Sequence, residues 1–184
     1  MGEALIIVDF QHDFASPDGA LSVPDGDRIA DPVNELARSG RFDLVVATRD
    51  WHPPDHGSFD SHGGVWPVHC VQDTEGAELH AALEREHLEM VVDKGQRPGK
   101  EGYSGFEDTE LAKLLRERGI DSITIVGLAT DYCVKNTALD ALREGFGVTV
   151  EAEAVRGVDV QPGDSERALE ELRAAGATVA QPRP

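Results

Sequence analysis

The chain has 184 residues, enough to bury a core without disulfides or a structural metal. Its 17 Lys and Arg stand against 35 Asp and Glu, a net charge of −18 that excludes nucleic acid and anionic membrane surfaces as partners. Two cysteines, Cys70 and Cys133, are too few for a disulfide framework. The opening M-G-E-A-L-I-I-V-D-F has no basic region before its short apolar run, so no signal peptide is expected. No stretch approaches the ~20 apolar residues that span a bilayer. The expectation is a cytoplasmic protein in which residues 1–184 form one domain. A homo-oligomer stays open, because an acidic surface can still carry an apolar patch.

In chain order, Ala4–Val8 is an apolar run that predicts a buried strand stopping at Asp9. Ser16–Asp25, with Pro17, Gly19 and Pro24, is a loop. Asp27–Ser39 carries Ile29, Val33, Leu36 and Ala37 on one face and predicts a helix ended by Gly40. Asp43–Thr48 predicts the second strand, running into Arg49–Asp50. From Trp51 to about Gly76 the chain is irregular and rich in Gly, Pro and His; so long a loop in a compact domain is usually functional. A short helix is expected at Glu78–Arg85, a third strand at Leu88–Val92 leading to Asp93–Lys94, and a Gly-rich loop at Gln96–Gly105. Thr109–Arg118 predicts an amphipathic helix with Leu111, Leu114 and Leu115 inward. Ile123–Val126 is the fourth strand, and Asp131–Glu144 a helix with Cys133 in its first turn. A fifth strand at Gly147–Glu151, a helix at Ser165–Ala174 and an edge strand at Ala177–Ala180 follow.

Strands alternating with helices imply an α/β fold with a parallel sheet covered on both faces, where ligands collect at the carboxyl ends of the strands. Asp9, Asp50, Lys94 and Cys133 each follow a different strand. A cysteine at a helix start has unpaired N–H groups nearby that favour a thiolate. Asp9 suits the acceptor of its proton, Lys94 the cation that holds both, and backbone N–H groups around Leu128–Cys133 an oxyanion hole. Taken singly, each residue also fits a packing or capping role.

Asp50 and His52, two apart in an extended segment, point the same way and can grip one cation. Four of the seven histidines, His52, His56, His62 and His69, fall in this loop. Two imidazoles and a carboxylate suit zinc, iron or manganese. Phe14, Trp66 and Tyr103 are flat side chains near these positions and suggest a small planar substrate.

The stretches V-D-F-Q (8–11), D-W-H-P-P (50–54), W-P-V-H-C-V-Q (66–72), D-K-G (93–95), Y-S-G-F (103–106) and G-L-A-T-D-Y-C-V (127–134) carry a resemblance. The sequence resembles the nicotinamidase/pyrazinamidase branch of the isochorismatase-like cysteine hydrolases. The resemblance implies a Rossmann-like three-layer α/β/α fold with a mostly parallel sheet of about five to six strands. It implies hydrolysis of nicotinamide, and of pyrazinamide, through a thioester in NAD salvage. Asp9, Lys94 and Cys133 fall on the family's triad, and Asp50, His52 and His69 on its metal ligands, with zinc placed ahead of iron and manganese. Leu128–Ala129 falls on a cis peptide that aims the Ala129 and Cys133 N–H groups at the oxyanion. Phe14 and Trp66 match the residues that sandwich the substrate ring, with Tyr103 in the region that tunes preference. His56 lies near a further ligand of some relatives, but the spacing is short and its ligation stays open. Asp73 stands where the pattern has Gly. The alternatives are a metal-free relative acting on ureido, carbamoyl or isochorismate-like substrates and a catalytically silent binding protein. The D-x-H…H set argues against the first and the complete triad against the second.

Overall fold

The computed structural model describes residues 1–182. Among them, six strands form one sheet: β1 (Gly2–Val8), β2 (Leu44–Asp50), β3 (Met90–Lys94), β4 (Ile120–Leu128), β5 (Gly147–Arg156) and β6 (Thr178–Ala180). Their order is β3-β2-β1-β4-β5-β6, and every neighbouring pair is parallel. The apolar run of β1 has no polar alternation because both of its faces are covered. Ala4, Ile6 and Val8 enter one core with Leu111 and Leu115 of α3 (Leu111–Glu117) and Ala138 and Ala141 of α4 (Lys135–Arg143). Leu5 and Ile7 enter the other with Phe14 of α1 (His12–Ala15) and Val33 and Ala37 of α2 (Ala30–Arg38). Helix α5 (Asp164–Ala175) adds Leu172 to the first core. The result is the three-layer α/β/α arrangement.

The chain winds outward in opposite directions from β1 and β4, so the crevice at the carboxyl ends of these two strands is the topological switch point. Val8 pairs with Gly127 across the seam. Gly127 has φ +118°, and a Cβ there would collide with the backbone of Val8, so only glycine allows this close approach.

Three elements differ from the sequence reading. Residues 78–85 form turns rather than a helix. Their backbone groups are taken by distant partners: the His80 N–H by Phe10 O (2.8 Å), the Glu84 N–H by Asn34 Oδ1 (3.0 Å) and Ala82 O by Asn34 Nδ2 (2.9 Å). The four-residue helix α1, in the unassigned stretch after Asp9, starts where the His12 N–H meets Glu78 O (2.9 Å). The helix expected from Asp131 begins as a π turn, Thr130–Val134, before α4. Asp50 and Lys94 are the last residues of β2 and β3, because both strands run two residues beyond their apolar stretches. No helix among the described residues is long and apolar enough to cross a membrane.

Candidate active site

Asp9 follows β1 in the left-handed region, φ 48°, a conformation that Asp adopts more readily than most residues. Its N–H donates to Thr48 O (3.1 Å), and the Thr48 hydroxyl donates to Oδ1 (2.8 Å). This fixes the carboxylate and leaves Oδ2 facing Lys94 Nζ at 2.9 Å. Lys94 is fully buried, and its three N–H groups donate to Asp50 Oδ1 (2.6 Å), Gly102 O (2.8 Å) and Cys133 Sγ (3.5 Å). Asp9, Asp50 and Cys133 present atoms within 4.8 Å of one another around that ammonium. The three residues expected to form the triad are thus in one buried cluster.

Within it, burial works against the thiolate that the helix start and Lys94 favour. Burial first, then Asp9 and Asp50, push the Cys133 thiol well above its ordinary value, with Lys94 opposing. Burial also raises the Asp9 carboxyl, against Lys94 and with Asp50. Burial would lower Lys94, but Asp50, Asp9 and Cys133 hold it charged. Cys70 is buried too, but its Sγ meets only Gly76 O (3.9 Å) and it does not line the cleft, so among the described residues it has no partner that would make it a nucleophile.

Beside this cluster, Asp50, His52 and His69 bring their ligand atoms within 4.8 Å of one another. The loop does this through short bridges: the His52 N–H donates to Cys70 O (2.9 Å), and the Gln72 N–H returns to His52 O (2.8 Å). His52 Nδ1 donates to Gly95 O (2.7 Å) and His69 Nδ1 to Pro67 O (2.8 Å). Each bond fixes a tautomer whose Nε2 offers a lone pair to the shared centre. His52 Nε2 lies 3.4 Å from Asp50 Oδ2. Two Nε2 atoms and a carboxylate oxygen, with room for further ligands, fit a divalent transition metal. Phe59 is fully buried and packs its edge on His52, His56 and His69 (5.4–5.7 Å between centroids). His56 is not in the ligand group. Its ring stacks on His52 at 3.9 Å, and its Nδ1 accepts the Ser58 N–H (3.2 Å). Its buried Nε2 has no partner among the described residues. Burial and the charge of His52 bring its pKa down to about 4.

Both clusters open into one cleft, about 460 Å³ with its mouth included, lined by Phe14, Trp66, Tyr103, Leu128, Ala129 and Cys133 among others. The Trp66 indole N–H donates to the Tyr103 hydroxyl (3.1 Å), and Trp66 meets Tyr132 edge-on (5.0 Å). The Leu128–Ala129 peptide is cis, and the Ala129 N–H has no protein partner among the described residues. All three expected substrate-binding residues therefore face the cleft.

Gln11 had no role in the sequence reading. It is fully buried, its Oε1 accepts the Asp50 N–H (2.8 Å), and its Nε2 donates to Asp50 O (2.8 Å) and Ala77 O (2.8 Å). It holds Asp50 by both backbone groups. Tyr132 was also missed; its place beside Cys133 was the only available signal.

An Isochorismatase domain matches residues 3–182. Nicotinamidase of Escherichia coli is 44% identical over 96% of this chain and 93% of its own length. The crystal structure of Pyrococcus horikoshii pyrazinamidase in complex with zinc is 51% identical, with TM-score 0.89 over 98% of this chain and 99% of that one. An L. infantum protein solved with nicotinate is 37% identical, with TM-score 0.93 over 98% and 92% of the two chains. With the family matched along nearly its whole length and the strand-end cluster in place, the chain belongs to the isochorismatase-like family.

Proposed function

We propose that the chain hydrolyses nicotinamide to nicotinate and ammonia, and pyrazinamide likewise, as a step of NAD salvage. The observation that carries this reading is the buried Lys94 ammonium bound by Asp9, Asp50 and Cys133 at the floor of an aromatic cleft. Support comes from relatives named as nicotinamidases and from a neighbour bound to nicotinate. Asp50, His52 and His69 are the residues to hold one divalent ion, zinc ahead of iron or manganese, in line with the zinc-bound neighbour. When bound, the ion supplies a Lewis acid for a ring nitrogen or a water.

In this reading Phe14 and Trp66 hold the ring, with Tyr103 fixing the Trp66 indole. Asp9 Oδ2, which has no aligned donor of its own, takes the thiol proton as Cys133 Sγ attacks the carboxamide carbon. The Ala129 and Cys133 N–H groups receive the oxyanion. Asp9 then gives its proton to the departing nitrogen, ammonia leaves, and a thioester remains on Cys133. Asp9 next takes a proton from water; the hydroxide attacks the thioester, the Cys133 thiolate leaves and regains that proton from Asp9, and the acid product loses its own proton to solvent and departs as nicotinate. Lys94 keeps the carboxylate in place throughout.

The test is ammonia release from nicotinamide by metal-replete protein, with Cys133→Ala alongside. Turnover in the parent and a loss of at least ~10³-fold in the variant, at an unchanged melting temperature, is the expected outcome. A fully active variant would remove the proposal.

A further inference from the structure

The loop that follows β5 lies outside every motif that carried the family resemblance, yet it lines the cleft through Val158. Its position is built from the nucleophile's own turn. Asp131, two residues before Cys133, is buried, and its carboxylate accepts the Val158 N–H on Oδ1 (2.9 Å) and the Asp159 N–H on Oδ2 (2.8 Å). Asp159, in the left-handed region at φ 51°, in turn accepts the Ser165 N–H (2.7 Å) and the Ser165 hydroxyl (2.8 Å) at the start of α5. Gly157 completes the fit: a Cβ there would collide with Ser165 Oγ and crowd Asp131 Oδ1. The loop is therefore tied at both ends, and two charge-assisted hydrogen bonds fix the backbone of its one cleft-facing residue.

We propose that Val158 is a specificity-determining residue that sets the size limit on ring substituents, and that Asp131 is the positioning residue that holds it there. The proposal rests on the nicotinamide reading. Val158 packs against the core that contains Phe14, Val23, Leu128 and Ala129 and lines the cleft, so it belongs to the cleft's apolar wall. A fixed branched side chain there would limit the room for a methyl group on a ring edge that faces it. Removing its two methyls opens that room, whereas a loosely held loop would open it in the parent.

The experiment measures kcat/KM for nicotinamide, 5-methylnicotinamide and 6-methylnicotinamide in the parent, Val158→Ala, Val158→Leu, Asp131→Asn and the double variant Asp131→Asn/Val158→Ala. In Val158→Ala the ratio of at least one methylated substrate to nicotinamide is expected to rise about tenfold, and in Val158→Leu to fall. Asparagine at 131 presents an amide donor to one of the two backbone N–H groups, so one tether is lost. Asp131→Asn should shift the same ratio in the same direction, and the double variant should add nothing to Val158→Ala. An unchanged ratio for both methylated substrates in Val158→Ala and Val158→Leu would overturn the role of Val158. Equal losses on all three substrates in Asp131→Asn would mean that Asp131 acts only through the Cys133 turn, overturning its part. A parent that leaves nicotinamide intact would refute the substrate reading, and this proposal with it.

Discussion

Cys133 and Asp9 are both pushed toward their protonated forms by burial, and two carboxylates share the one ammonium of Lys94. In the proposed reaction this favours a thiolate formed by proton transfer to Asp9 during attack over one stored beforehand. Asp9→Asn removes the acceptor while keeping the shape and the Thr48 bond. Its kcat/KM should fall ~10²–10⁴-fold with little change in melting temperature, a split that steady-state assays and thermal melts together will show. Asp50 behaves oppositely. Burial alone would raise it, but Lys94, His52 and His69 hold it well below its ordinary 3.8. A depressed carboxyl contributes stability that is complete above the unfolded value and lost as pH falls below it. Metal-free protein should lose stability below about pH 3.8, and Asp50→Asn should flatten that loss in acid-unfolding curves. The clustering of Asp9, Lys94 and Cys133 was legible because they stand at strand ends, and that of Asp50, His52 and His69 because of the i,i+2 spacing and the histidine-rich loop. Gln11, Thr48 and Asp131 were not, because their work is to satisfy hydrogen-bonding groups that lie 27 to 66 positions away.

Among the elements, the seam between β1 and β4 carries Asp9 at one strand end and the Cys133 turn at the other. Gly127→Ala would force the Cβ against Val8 and separate them. A loss of several kcal/mol in denaturant unfolding, or no soluble protein, is the expected result. Phe59 supports three imidazole edges at once, and Phe59→Ala should cost ~3–5 kcal/mol of stability. It should also weaken metal binding, which a chelator-competition titration measures. The strands were readable from their apolar runs, since a buried parallel sheet leaves no ambiguity of face. The segment 78–85 was not: its composition permits a helix, and only the approach of Asn34 and Phe10, distant in sequence, turns its backbone elsewhere. The π turn at 130–134 was hidden for the same kind of reason, since helical periodicity does not report the tighter or wider winding of a first turn.

For the whole molecule, the charge of −18 is spread over an accessible surface of 8534 Å². That area is close to the ~8,600 Å² expected of a compact monomer of this mass, so the charges are as crowded as the mass allows. At low ionic strength they repel across ~30 Å, and at 1 M across only ~3 Å. The melting temperature should rise by roughly 3–6 °C between 0.01 and 1 M NaCl, equivalent to about 1–2 kcal/mol. A flat or falling curve in a salt titration would show that local ion pairs such as Arg49–Asp93 and Arg116–Glu144 outweigh the net field.

One carboxyl group belongs to both centres: Asp50 Oδ1 receives the Lys94 ammonium, and Oδ2 faces His52 Nε2. The proposed ion site and the proposed proton-transfer site are thus two ends of a single lever, so retuning one is expected to retune the other. If Asp50 held the proposed ion, a change of ion would also be felt at the Lys94 ammonium, and through it by Asp9 and Cys133. Exchanging zinc for manganese should therefore alter kcat together with KM. On the proposed reading, a descendant of this chain could dispense with an ion at Asp50 only by rebuilding the environment of its lysine.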